Sequence, residues 1–116
     1  MPQISVRVVL TALQQVNALQ GTQYELLPAR LYPRGALAEF AIKADATGVL
    51  ETVQTGADVV EEESPCSVGT INLKPVYPDD FTLNDLVAPM EKINVKLRDT
   101  SGAGRVVMVT VRFTAL

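Results

Sequence analysis

The chain has 116 residues, a formal net charge of −3 and only 20% charged side chains, against 47% hydrophobic ones. That is one domain, long enough to bury roughly two-thirds of its unfolded surface without a metal or disulfide. The ten basic residues are scattered singly and the chain has no histidine, which argues against a nucleic-acid-binding face and against His-based zinc or triad chemistry.

Gln3 to Leu13 opens the chain as a strand, with Ile4, Val6, Val8 and Leu10 alternating against Ser5, Arg7, Val9 and Thr11. Leu13, Val16 and Leu19 share a near-helical spacing, yet the segment reads better as a turn or short irregular stretch. Thr22 to Leu27 is a short strand ended by Pro28, and Arg30 to Gly35 is a loop carrying Pro33 and Gly35. Ala36 to Ala44 follows as a strand with Ala38, Phe40, Ile42 and Ala44 inward. Asp45 to Gly48 turns the chain into a strand from Val49 to Gln54, and Thr55 to Asp58 reverses that into Val59 to Glu63. Two successive hairpins predict a meander.

Ser67 to Leu73 is a further strand, stopped at Pro75, and Tyr77 to Phe81 is a loop. Thr82 to Leu86 reads as one helical turn with Asp79, Asp80 or Thr82 as its cap. The last stretch is the most informative. Ile93, Val95 and Leu97 alternate with polar residues, Asp99 to Gly104 turns the chain, and Arg105 to Phe113 returns as the second arm of a hairpin. In that arm Val107, Val109, Val111 and Phe113 share one face, while the other also carries Val106 and Met108. The expectation is a strand covered on both sides, by its own core and by a second layer or another subunit. Turn signals every 8 to 12 residues or so predict an all-β antiparallel sandwich or jelly-roll-like barrel of about seven to eight strands, in a single domain spanning residues 1–116.

Chemistry is sparse. Cys66 stands alone and reads as a small buried hydrophobe, since nothing in the chain activates it. Glu61-Glu62-Glu63 offers carboxylates to a hard cation together with Asp58 or Asp79-Asp80, but alternate strand residues face opposite ways, so a solvated edge that resists strand pairing is the preferred reading. Asp79, Asp80 and Asp85 read as turn formers and caps in preference to a catalytic carboxylate pair. No catalytic, cofactor or metal residues are assigned, and an enzyme is not expected. Tyr32 and Tyr77, each followed by proline in a loop, join Val106 and Met108 as candidate subunit contacts. Neither a signal peptide nor an apolar run near the ~20 residues of a membrane span is evident, so neither membrane nor nucleic acid is expected as a partner.

Three groups of phrases carry a resemblance: Gly21-Thr22-Gln23-Tyr24-Glu25; Thr47 to Val53 leading to Gly56-Ala57-Asp58-Val59-Val60; and Tyr77 to Phe81 with Ala88-Pro89 before the final strands. Together they resemble small β-rich virion proteins of bacteriophages, of the kind that decorate or cement a capsid. The resemblance implies a dimer or trimer that also contacts the major capsid protein, synthesis in the host cytoplasm and residence in the virion. In one respect the chain departs from that pattern: Met90 stands after Pro89, where similar chains carry glycine. A carbohydrate- or receptor-binding sandwich module of a phage fibre or spike is the alternative expectation.

Overall fold

A computed structural model describes residues 3–56, 58–69 and 80–116. Among them run nine strands: β1 (Gln3–Leu10), β2 (Gln15–Asn17), β3 (Ala36–Ala44), β4 (Val49–Thr55), β5 (Asp58–Pro65), β6 (Ser67–Val68), β7 (Leu83–Val87), β8 (Ile93–Asp99) and β9 (Arg105–Ala115). One sheet has the order β1-β9-β3, with β7 pairing the first half of β3 and the two-residue β6 joining its end in parallel. The other has the order β2-β8-β4-β5. With β6 set aside, β1-β9-β3-β7 faces β2-β8-β4-β5, so strands adjacent in sequence take corresponding places in opposite sheets. This is the strand order of a jelly roll, a sandwich formed by rolling up one long double ribbon.

Period-2 patterning builds the interior. On β3, β4, β8 and β9 alternate side chains point between the sheets, and Phe40, Val53, Val95, Leu97, Val107, Val109, Val111 and Phe113 are fully buried there. Each such side chain stabilises the fold by about 1.5–3 kcal/mol through removal of apolar surface from water. Tyr24 stacks on Phe113 with ring centroids 4.4 Å apart, and Tyr32 tilts against the same ring at 5.9 Å. Offset aromatic contacts of this kind add to simple burial.

The topology corrects the two predicted hairpins that matter most. β8 pairs with β2 and β4, whereas β9 pairs with β1 and β3, so the glycine-rich turn after Asp99 carries the chain from one sheet to the other. The link from β3 to β4 crosses in the same way, and of the expected meander only β4–β5 is a hairpin. Alternation marks which side of a strand is apolar but is blind to which sheet holds it. Contacts between the links decide the matter. The Thr100 backbone N–H and hydroxyl both donate to the Gly48 carbonyl, at 2.7 and 2.8 Å. Asp45 N–H donates to the Val106 carbonyl at 3.0 Å, and the Asp45 carboxylate accepts from Val106 N–H at 3.2 Å.

Asp99 sits at the centre of this end. Its carboxylate accepts from Ser101 N–H (2.9 Å), the Ser101 hydroxyl (2.6 Å), Gly104 N–H (3.0 Å) and Leu13 N–H (3.3 Å), which ties the β8–β9 link to the β1–β2 link. These donors hold its pKa down at about 2. Gly48, at φ +106°, lies so close to Ser101 that a Cβ there would stand 2.7 Å from the serine's own. Any other residue at this position would both strain the backbone and push the links apart.

Other differences are local. Thr82 to Leu86 is no helical turn: Leu83, Asp85 and Val87 alternate with the exposed Asn84 and Leu86 in β7, where pairing to β3 overrides the local capping signal. Thr22 to Leu27 is a chain of turns whose ladder pairing is the isolated bridge Leu26–Lys92, while β2 forms where an irregular stretch was expected. The strand expected from Ser67 is described only as Ser67–Val68, and residues 70–79 of the predicted strand and loop lie outside the described residues.

Candidate interaction surface

Of the four predicted contact residues, Tyr32 is the clear correction. It is 2% exposed and packs on Phe113, and its hydroxyl is buried near Tyr24 without a hydrogen bond of normal geometry. Burial pushes that hydroxyl's pKa up to about 12. A tyrosine beside proline in a loop read as a surface anchor because spacing cannot show that the loop folds back over the sandwich end. Tyr77 lies outside the described residues.

Val106 and Met108 occupy the outer face of the β1-β9-β3 sheet and are half-buried. Across that face the register sets Val9 beside Val106, Arg7 and Lys43 on either side of Met108, Ser5 and Ala41 on either side of Thr110, and Gln3 and Glu39 on either side of Arg112. Lys43 on this face also forms an ion pair with Asp80 at 3.0 Å. No described element packs over this face as a second layer. Thr110 and Ala41 on the same face are buried, and Thr110 shares a hydroxyl–hydroxyl hydrogen bond with Ser5 at 3.1 Å.

The two long flanks of the sandwich differ in kind. β5, the edge of its sheet, is bulged against β4 at Glu51–Gln54, exposes Asp58, Glu62 and Glu63, and places Glu63 at φ +47°. Glu63 also reaches across to an ion pair with Arg98. Charge, bulges and a kinked backbone are the devices that keep an edge from pairing with a foreign strand. β1 has neither bulge nor kink. Among the described residues it pairs with β9 along one side only, without a register shift, and its single charge is Arg7. Val9 is 64% exposed, and Ile4 and Val6 are only partly buried because the facing β2 is three residues long and covers little of them.

Behind β5 lies the polar feature that motif reading passed over. Glu51 faces inward on β4 and is 6% exposed, and Glu61 turns in toward it from β5. Burial first, then the charge of Glu61 and a hydrogen bond with it, push the Glu51 pKa up to about 8, so one proton is shared between the two at neutral pH. Cys66 lies beside them, and burial together with these two carboxyl groups pushes its thiol up to about 12, which leaves it unreactive. The signal for Glu51 was present in the alternation Val49, Glu51, Val53, Thr55, which puts it in an inward position. Thr55 in turn donates its hydroxyl to Asp85 of the opposite sheet at 2.5 Å, closing the sandwich on that side. Among the described residues no three Asp, Glu, Cys or His side chains converge on a metal position.

Shallow clefts also lie among the described residues. One, of about 320 Å³, is lined by Asp58, Val59, Val60, Asn84 and Asp85; another, of about 460 Å³, by Thr22, Gln23, Glu25, Leu26 and Lys92. Neither presents an aromatic ring, and the described aromatics Tyr24, Tyr32, Phe40, Phe81 and Phe113 are all buried. Comparison of the chain with protein-family models, with curated proteins and with solved structures finds no significant match.

Proposed function

We propose that this chain is a structural virion protein that associates with copies of itself and decorates or cements a phage capsid. The observation that carries the reading is the contrast between the flanks. A tied-down jelly roll protects one long edge with charge and bulges and leaves the other, β1, regular and, among the described residues, unpaired on its outer side beside Val9, Ile4 and Val6. The interlocked links around Asp99 supply a rigid frame, which a shell component needs if its contacts are to stay in register. Stabilisation would act by mass action, since a protein that binds only the assembled lattice shifts the equilibrium toward assembly.

The fold alone carries no function. A carbohydrate-binding module would need ring platforms lining a cleft, and the buried aromatics speak for the structural reading over that alternative. The test is the composition of purified virions from the phage that encodes the chain. The chain is expected in a fixed ratio to the major capsid protein and retained through gradient purification. Its absence from purified particles, with expression in the infected cell demonstrated, overturns the proposal.

A further inference from the structure

We infer that β1 is a self-pairing edge: two copies join through antiparallel β1 strands about a two-fold axis at Val6, making one continuous sheet across the dimer. This deepens the reading above and rests on it for its biological setting. Among the described residues the outer side of β1 is unpaired; such an edge offers a full row of backbone donors and acceptors, and a strand of the same chain is a partner always present at equal concentration.

The side chains of β1 select the register. Pairing must keep outward residues beside outward ones, since a slip by one position would set the core-facing row of one copy against the solvent-facing row of the other. Three registers keep the faces matched and centre on the strand. An axis at Arg7 sets Arg7 directly against Arg7 of the second copy, and like charges directly opposite are destabilising. An axis at Ser5 pairs only Gln3 to Arg7 and leaves Val8, Val9 and Leu10 without partners. An axis at Val6 pairs Gln3 to Val9 on each copy. It sets Val6 against Val6, Ile4 against Val8 of the second copy, Ser5 against Arg7 of the second copy, and Gln3 against Val9 of the second copy.

That arrangement continues the partly exposed inward row of Ile4 and Val6 into an apolar seam between the two sandwiches. It also keeps the two Arg7 side chains apart. The other edges do not compete among the described residues: β2 is three residues long, β5 is bulged and acidic, and the far edge of the larger sheet is divided between β6 and β7. One strand's worth of contact gives a dimer that dissociates on dilution, and repeated weak contacts of this size add up on a lattice.

The register is tested by mixing two single variants, Ser5→Cys and Arg7→Cys, under mild oxidation. The buried Cys66 is common to both and serves as the internal control. An axis at Val6 predicts that the mixture gives the disulfide-linked heterodimer while each variant alone stays uncrosslinked. Crosslinking of Ser5→Cys alone, or of Arg7→Cys alone, overturns the register. A paired charge test uses the full chain by light scattering as concentration is raised roughly a hundredfold. Ser5→Glu tightens the dimer about threefold to tenfold by placing a carboxylate opposite Arg7 twice, and Ser5→Arg weakens it by a similar factor. Both variants lose the same Ser5–Thr110 hydrogen bond, so a folding defect would move them together. A strictly monomeric wild-type chain over this range overturns the inference. If such a monomer still co-sediments with capsid shells, the shell-binding reading stands without it, whereas a register-correct dimer that ignores shells overturns the reading and leaves the edge pairing.

Discussion

Replacing Glu51 with Gln should make the protein more stable in alkali and change little in mild acid. In the folded chain the Glu51 carboxyl titrates near 8, well above the 4.5 of a free glutamate, because it is buried beside Glu61. The folded state therefore holds a proton that the unfolded state has released, and stability declines as pH rises from about 4.5 through about 8. At 1.36 kcal/mol per pH unit the full difference sets an upper bound of about 5 kcal/mol. Glu61 is partly exposed, and screening through it reduces the expected loss to about 2–3 kcal/mol. A glutamine keeps the shape and still donates to Glu61, but has nothing to titrate. Urea unfolding at intervals from pH 5 to pH 9 should show the wild-type midpoint falling through this range and the Glu51→Gln midpoint nearly level, with the variant ahead at pH 9. Parallel curves for the two proteins would refute the shared proton and with it the inward placement of Glu51.

Other changes report on separate parts of the fold. Met90 sits at φ +65° after Pro89, in a turn closed by Glu91 N–H donating to the Ala88 carbonyl at 3.1 Å, so Met90→Gly should stabilise by about 1 kcal/mol in chemical denaturation. Tyr32→Phe removes a buried hydroxyl that makes no hydrogen bond of normal geometry and should leave stability unchanged or raise it by about 1 kcal/mol without altering self-association, whereas Tyr32→Ala should cost about 3–5 kcal/mol of folding stability. Asp99→Asn weakens the charge-assisted tie between the inter-sheet links and should lower the melting temperature at neutral pH. Since the Asp99 pKa is depressed to about 2, its contribution is complete above about 4 and fades as pH falls through about 2, so the gap between wild type and variant should close in strong acid.

How far these features were legible in the sequence follows from what each depends on. The inward rows of β3 and β9 could be read from alternation alone, because Phe40 and Ile42, or Val107 to Phe113, leave one side of a strand without polar residues. The sheet to which β8 and β9 each belong could not, because that depends on Asp99 reaching Leu13 and on Thr100 reaching Gly48, contacts between links far apart in the chain. Tyr32 looked like a surface residue for the same reason: its partner Phe113 is distant in sequence. Met90, noted as standing where similar chains carry glycine, falls at a position that the backbone holds in the left-handed region. The acidic run was legible as an edge device for Glu62 and Glu63. It was misread at Glu61, since the bulge that turns this side chain toward Glu51 is a product of β4–β5 pairing.

Co-sedimentation of the purified chain with purified capsid shells of the phage proposed as its source tests the shell-binding proposal most directly. Saturable binding at a fixed number of copies per shell is expected, weakened by Ser5→Arg in step with its loss of self-association. Shells that pellet free of the chain at concentrations where it is folded and dimeric would contradict the account.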